Sequence, residues 1–267
     1  QNAAEVWETC NRQIRSPEFT AQNIIKRSNV RVICTTDDPL DQLEAHRRLK
    51  ADRAFSVTVL PTFRPDRILQ IDRKGWKEYV VQLETTCNCT ITSFDDLVAC
   101  LTARIDYFHK LGARISDHSL EPVVYEESSK RELGHIVNRA LAGKNLTKKE
   151  VRQYQTALLI ALGRQYAEKG WVMQLHIGAL RDTNTRLYRA VGGNAGCDSM
   201  GDDNIARPLA RLLDALDRTD HLPKTILYAL HPKDCDTLAT VAGNFQGGGV
   251  PGKVQLGAAW WFNDQKE

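Results

Sequence analysis

WVMQLHIGALRDTNTR, residues 171–186, is the stretch from which the rest of the chain is read. Val172, Met173, Leu175 and Ile177 form a short, partly β-branched apolar run, which predicts a buried strand. His176 closes that run, Gly178 frees the backbone to turn, and Arg181 follows five residues after the histidine. An imidazole and a guanidinium then project from one strand end and its loop, as residues do at the C-terminal ends of barrel strands. The competing structural reading is a core histidine beside a surface arginine.

Outward from that stretch, strands alternate with helices. Residues 3–29 read as two short helices, the second opened by Ser16-Pro17-Glu18. Asn29–Thr36 reads as a strand closed by Asp37-Asp38-Pro39, with a helix over about 39–51. Phe55–Leu60 is the next strand, and Pro61 and Pro65 fix the loop that carries Arg64. Trp76, Tyr79, Val80 and Leu83 have helical spacing, and Ser93 caps a second helix through Phe94, Leu97, Leu101, Ile105 and Phe108. Residues 113–116 predict a very short strand leading into Asp117-His118-Ser119-Leu120-Glu121, followed by a mixed-charge helix over 124–142. Thr147 and Glu150 form a capping box for a helix over 148–169, which delivers the chain to Trp171. Further on come a glycine-rich loop at 192–196, a helix over 202–217, a strand over 224–230, a helix over about 233–242 and a last strand over 254–257. The loop lacks the basic residue of a P-loop. Six strand-then-helix units, the last cut short, imply a parallel sheet in one domain without internal repeats.

Composition narrows the class. With 267 residues, 42% hydrophobic and 26% charged, the chain is an ordinary globular sequence rather than a disordered or fibrous one. A net charge of +3, with basic and acidic residues interleaved, gives no stripe for nucleic acid. No apolar run reaches the roughly 18 residues that span a bilayer, so no membrane is expected either, and the cytoplasm is the default location. Seven scattered cysteines argue for reduced thiols rather than a disulfide framework. Cys87-Asn88-Cys89 has metal-ligand spacing, but no second pair or nearby histidine completes a zinc set. The acceptor patterns at Asn88 and Asn145 read as chance. The sequence opens at Gln1 without a methionine and stops soon after its last strand, so it reads as a piece of a longer domain.

The strand ends collect Arg64, Asp117, His118, His176, Arg181 and Trp260, with Asp37 and Asp38 on the first. Two guanidinium forks beside an acid and a histidine suit an anionic, hydroxylated small molecule of the sugar-acid type. Asp and His are groups able to move protons near neutral pH. His118, Asp37, Trp261 and His231 read as structural.

The ordered segments TTDDP (35–39), RPD (64–66), SDHSL (116–120), HIGALR (176–181), PKTILYAL (223–230), GNFQG (243–247), PGK (251–253) and WWFNDQK (260–266) together resemble the uronate (glucuronate) isomerase family of the amidohydrolase superfamily. The resemblance extends from about residue 10 to the end. It implies a (β/α)8 barrel of which this sequence supplies the central six units, strands 2 to 7. The family's strand-1 H-x-H pair and strand-8 aspartate are not found here, and none of the seven histidines forms an H-x-H.

By the same resemblance the reaction interconverts D-glucuronate with D-fructuronate, or D-galacturonate with D-tagaturonate. It passes through a cis-enediol, with a divalent metal, usually zinc, whose ligands lie outside this sequence. Residue by residue, the family's active-site arginine after the third strand falls on Arg64 and its strand-4 aspartate on Asp117. Its strand-5 histidine falls on His176, its loop arginine on Arg181 and its tryptophan on Trp260. The family's active-site tyrosine lies upstream of Gln1. His176 and Asp117 are thus the expected catalytic residues, and Arg64, Arg181 and Trp260 the expected substrate contacts. Asp117 stays open between proton-moving base and a group that orients its neighbours, and the carboxylate partner is open between the two arginines. A homo-oligomer is compatible with the sequence. Two alternatives stand beside this reading: a metal-dependent hydrolase of the same superfamily, and an inactive fragment that only binds sugar acids.

Overall fold

The computed structural model describes residues 2–258 and 260–263. Its elements in chain order are α1 (Ala3–Ile14), α2 (Ala21–Arg27), β1 (Val32–Cys34), α3 (Glu44–Ala51), β2 (Thr58–Leu60), α4 (Asp66–Leu69), α5 (Trp76–Cys87), α6 (Phe94–Lys110) and β3 (Ile115–Leu120). There follow α7 (Lys130–Leu141), α8 (Lys148–Glu168), β4 (Val172–Ile177), β5 (Ala179–Leu180), α9 (Thr185–Val191), β6 (Ser199–Met200), α10 (Ala206–Asp217), β7 (Lys224–Ala229), α11 (Asp234–Gly243) and β8 (Val254–Leu256).

Local chemistry explains most boundaries, including those that differ from expectation. The Ser16-Pro17-Glu18 signal makes only a 3₁₀ turn over Pro17–Phe19, and Thr20 caps the helix that follows. Asp38 and Asp41 accept hydrogen bonds from the backbone two residues on, which holds 38–43 as turns and delays α3 to Glu44. Residues 124–129 are not helical; Ser129 and Glu132 form the capping box that starts α7. The helix expected from 202 begins at Ala206. β5 and β6 form a small antiparallel pair on either side of α9, an element the apolar pattern does not announce.

The largest shift is in β3, which runs to Leu120 and places Asp117 and His118 inside the strand instead of beyond it. β3 pairs in parallel with β4 along its whole length, Ile115 opposite Val172 through Leu120 opposite Ile177. Six paired backbone positions outweigh the polar character of Asp-His-Ser, because ladder hydrogen bonds do not depend on side chains.

The parallel strands follow chain order. β1 pairs with β2, and β3, β4, β7 and β8 form a second sheet in that order. Phe63 joins the two sheets: it makes parallel bridges to Asp37 and to Ser116. Its N–H donates to the Ile115 carbonyl at 3.1 Å, and its carbonyl accepts from the Asp117 N–H at 3.0 Å. The ring of Phe63, fully buried, packs edge-on against Phe108 at 5.2 Å, with Tyr166 and Trp171 beyond. Met173, Leu175 and Ile177 of β4 face a continuous core with helix residues such as Leu101, Tyr154, Leu158 and Leu213. Val172, Gln174 and His176 alternate to the other face, as the period-2 pleat requires.

His118 is fully buried on the helix-facing side of β3, tilted against Tyr166 at 5.6 Å, and neither ring nitrogen has a protein partner. Burial pushes its pKa down from 6.5 to about 4, only partly opposed by the charge of Asp117. The unfolded chain therefore binds a proton between those values that the folded chain refuses. Stability from this site is full above about pH 6.5 and falls as pH drops, by about 3 kcal/mol at pH 4. Urea denaturation from pH 7 to 4.5 is expected to show a His118→Leu variant losing less stability on acidification than the parent. Parallel losses in the two proteins would contradict this.

Candidate active site

The site begins with register. Asp117 of β3 lies opposite Gln174 of β4, and Ser119 opposite His176, so the carboxylate and the imidazole emerge on one face of adjacent parallel strands. His176 Nδ1 is 2.6 Å from Asp117 Oδ1. Burial alone would raise the Asp117 carboxyl, but the His176 hydrogen bond and the Arg64 charge bring it below the ordinary carboxylate value. An ionised carboxylate only accepts, so Nδ1–H is the donor and Nε2 is the free end of the ring.

Arg64 arrives from the loop after β2. Its N–H donates to the Asp37 carbonyl at 2.9 Å, which sets the residue beside the bridged Phe63. The guanidinium Nε donates to Asp66 Oδ2 at 2.7 Å, and Nη1 lies 3.5 Å from Asp117 Oδ2. Burial disfavours the Arg64 charge, but Asp66 and Asp117 more than offset it, so the group stays cationic. Asp66 is the more strained partner: burial raises its pKa despite Arg64 and a 3.2 Å hydrogen bond from the Ser119 N–H.

Gly178, with φ +100, turns the chain after β4 and carries it to Arg181. Arg181 Nε donates to Glu121 Oε1 at 2.9 Å and Nη1 to Asp198 Oδ2 at 3.0 Å, and its guanidinium lies 4.8 Å from the centre of the Trp261 ring. Both carboxylates keep this guanidinium charged against partial burial. Arg181 and Arg64 are close enough that the charge of one acts on the other.

The imidazole of His176 is held between aromatic rings. Tyr228 of β7, its register partner, stacks on it at 4.4 Å with planes 7° apart, and Trp260 meets it edge-on at 4.5 Å. The Tyr228 hydroxyl donates to Gln174 Oε1 at 2.9 Å. Gly257 makes this placement sterically feasible, since a Cβ there would lie 2.4 Å from the Tyr228 ring.

The structure thus brings together all five residues singled out from the sequence: Arg64, Asp117, His176, Arg181 and Trp260. Asp37 and Asp38 instead serve the first loop. Asp37 accepts from Thr35 Oγ1 and Thr62 N–H, and Asp38 from the Tyr79 hydroxyl. Sequence reasoning missed Tyr228, Asp66, Glu121 and Asp198. Tyr228 is an aromatic on the same strand face as His176, and the Arg-x-Asp spacing of 64 and 66 was visible; Asp198 left no local signal. A cavity of about 600 Å³ shares Asp66, Ser119 and Glu121 with the cluster and is lined also by Arg73, Lys148 and Arg152. Among the described residues no group of three His, Cys, Asp or Glu side chains is placed to hold a metal.

Fold and cluster define an α/β protein with parallel strands that presents a His–Asp pair together with two guanidinium groups, each held by carboxylates. The profile of the glucuronate isomerase family matches residues 1–267, and the chain belongs to that family. It is 48% identical over 268 residues to the uronate isomerase of Photorhabdus laumondii, covering 100% of this chain and 56% of the relative. It is 49% identical over 267 residues to that of Clostridium perfringens, covering 100% of this chain and 57% of the relative. The crystal structure of uronate isomerase from Thermotoga maritima superposes with a TM-score of 0.88 at 35% identity, over 98% of this chain and 56% of that one. The chain spans a little over half the length of the curated relatives it matches.

Tyr228→Leu removes the flat partner of His176 and the Gln174 hydrogen bond while leaving Asp117 in place. The His176 Hε1 resonance, shifted upfield by the ring stack, is expected to move downfield, with a loss of about 1 kcal/mol in folding stability. An unmoved resonance would show that the rings do not stack in solution.

Proposed function

We propose that this chain is the central part of a uronate isomerase, which converts D-glucuronate to D-fructuronate and D-galacturonate to D-tagaturonate through a cis-enediol. The observation that carries the reading is the Asp117 carboxylate shared between His176 and Arg64 in a chain of the glucuronate isomerase family. In the proposed domain, residues 1–267 supply strands 2 to 7 of one (β/α)8 barrel, and strands 1 and 8 come from outside them. The sequential parallel order of β1, β2, β3, β4, β7 and β8 supports this.

The isomerisation moves one proton from C2 to C1 and the hydroxyl proton of O2 to O1, with no net gain or loss of electrons. Asp117, held by both neighbours, orients His176 and fixes Nε2 toward the substrate. Nε2 binds a substrate oxygen or carries the proton passed between O2 and O1. Arg64 and Arg181 grip the carboxylate or hydroxyl groups through guanidinium hydrogens not engaged by Asp66, Glu121 and Asp198, and Trp260 forms a wall for the sugar. Two guanidinium groups stand among four carboxyl groups here, so an anionic substrate needs further positive charge. A divalent metal, zinc by the family resemblance, would supply it from ligands outside 1–267. Among the described residues no group of three His, Cys, Asp or Glu side chains makes such a site by itself.

Among the described residues no helix is long and apolar enough to cross a membrane. The proposal places the enzyme in the cytoplasm, acting on a free uronate without nucleic acid or membrane, with a homo-oligomer compatible with this reading.

In the protein carrying the full family length, ketose formation from D-glucuronate is measured by coupled reduction. His176→Gln is expected to lower kcat by about 10²–10⁴-fold, and Arg64→Met and Arg181→Met to raise KM. No turnover by the metal-loaded parent would remove the isomerase reading, and hydrolysis of an ester or amide substrate in its place would favour the hydrolase alternative.

A further inference from the structure

The Cys87-Asn88-Cys89 pair, two ligands short of a zinc site, has a different partner. Asn88, in the left-handed region at φ +50, ends α5 and turns the chain so that both cysteines lie against α6. Cys89 is exposed and its sulfur lies 3.3 Å from that of Cys100, which is buried on α6. The Cys87 thiol donates to the Cys100 carbonyl at 3.6 Å, and the Cys100 thiol points at the Leu83 carbonyl at 3.7 Å. Residues 88–90 are exposed, so the segment has room to adjust.

We propose that Cys89 and Cys100 form a dithiol–disulfide modification site whose co-reactant is a low-molecular-weight disulfide. A covalent sulfur–sulfur bond is about 2 Å long, so closure from 3.3 Å asks for little movement. The exposed Cys89 thiolate attacks one sulfur of the small disulfide, forming a mixed disulfide and releasing the first thiolate. The Cys100 thiol loses its proton and attacks the Cys89 sulfur, and the second small thiolate leaves. The two thiol protons of the protein end on the two released thiolates, the cysteines are oxidised by two electrons, and the small disulfide is reduced. Order of attack follows exposure, since Cys89 is exposed and Cys100 is buried.

The test treats the reduced native protein with oxidised glutathione, alkylates the remaining thiols and maps the peptides. The expected product is a Cys89–Cys100 linked peptide at least about tenfold above the alkylated form of either residue. Cys89→Ser, at an exposed position, is expected to abolish the linkage with the fold intact by circular dichroism. Cys100→Ala is expected to leave Cys89 as a persistent mixed disulfide with glutathione. Recovery of Cys89 and Cys100 both alkylated, or a linkage through Cys87 in place of Cys89, would overturn the proposal.

Discussion

One carboxylate sets the geometry of the cluster. Asp117 is buried in a strand, and a charge taken out of water persists there only when its oxygens find cationic or hydrogen-bonding partners. Oδ1 takes the imidazole of His176 and Oδ2 faces the guanidinium of Arg64. Each partner is then fixed from behind, His176 by the faces and edges of Tyr228 and Trp260, and Arg64 by Asp66. Arg181 sits in a separate clamp of Glu121 and Asp198, so the two cations are oriented independently while feeling one another's charge.

That arrangement depends on backbone register as well as on the loops that carry the arginines. Phe63 bridges Asp37 on one side and Ser116 on the other, which places Arg64 and Asp117 at neighbouring positions of the parallel array. Its ring is anchored among Phe108, Tyr166 and Trp171, so the hydrophobic core and the polar cluster share a residue. A one-residue slip between β3 and β4 would turn His176 toward the helices and Leu175 toward Asp117. His118 shows the other face of the same strand, where a polar ring is accommodated at the cost of acid sensitivity.

The sequence reading found the strands that carry the cluster because apolar runs bounded by turn residues mark buried parallel strands, and the five site residues lie on or just beyond them. It ended β3 too early, because Asp-His-Ser looks like a loop when only side chains are weighed. Tyr228 escaped for the opposite reason: in ILYAL it looks like one more core aromatic, and only the pairing with β4 puts it on His176. Asp198 meets Arg181 beside the β5–β6 pair, whose two-residue strands are too short to show periodicity, and Glu121 reaches it from the end of β3. Cys100 lies eleven residues from Cys89 on a helix whose own pattern explains it fully, so their contact exists only in the folded chain.

The bond between Asp117 and His176 is tested most directly by nitrogen-15 NMR of the imidazole at neutral pH. The expected result is a hydrogen on Nδ1, bonded to the carboxylate and strongly downfield, that loses this position in Asp117→Asn. A ring carrying its hydrogen on Nε2 with Nδ1 bare, unchanged by that substitution, would contradict it.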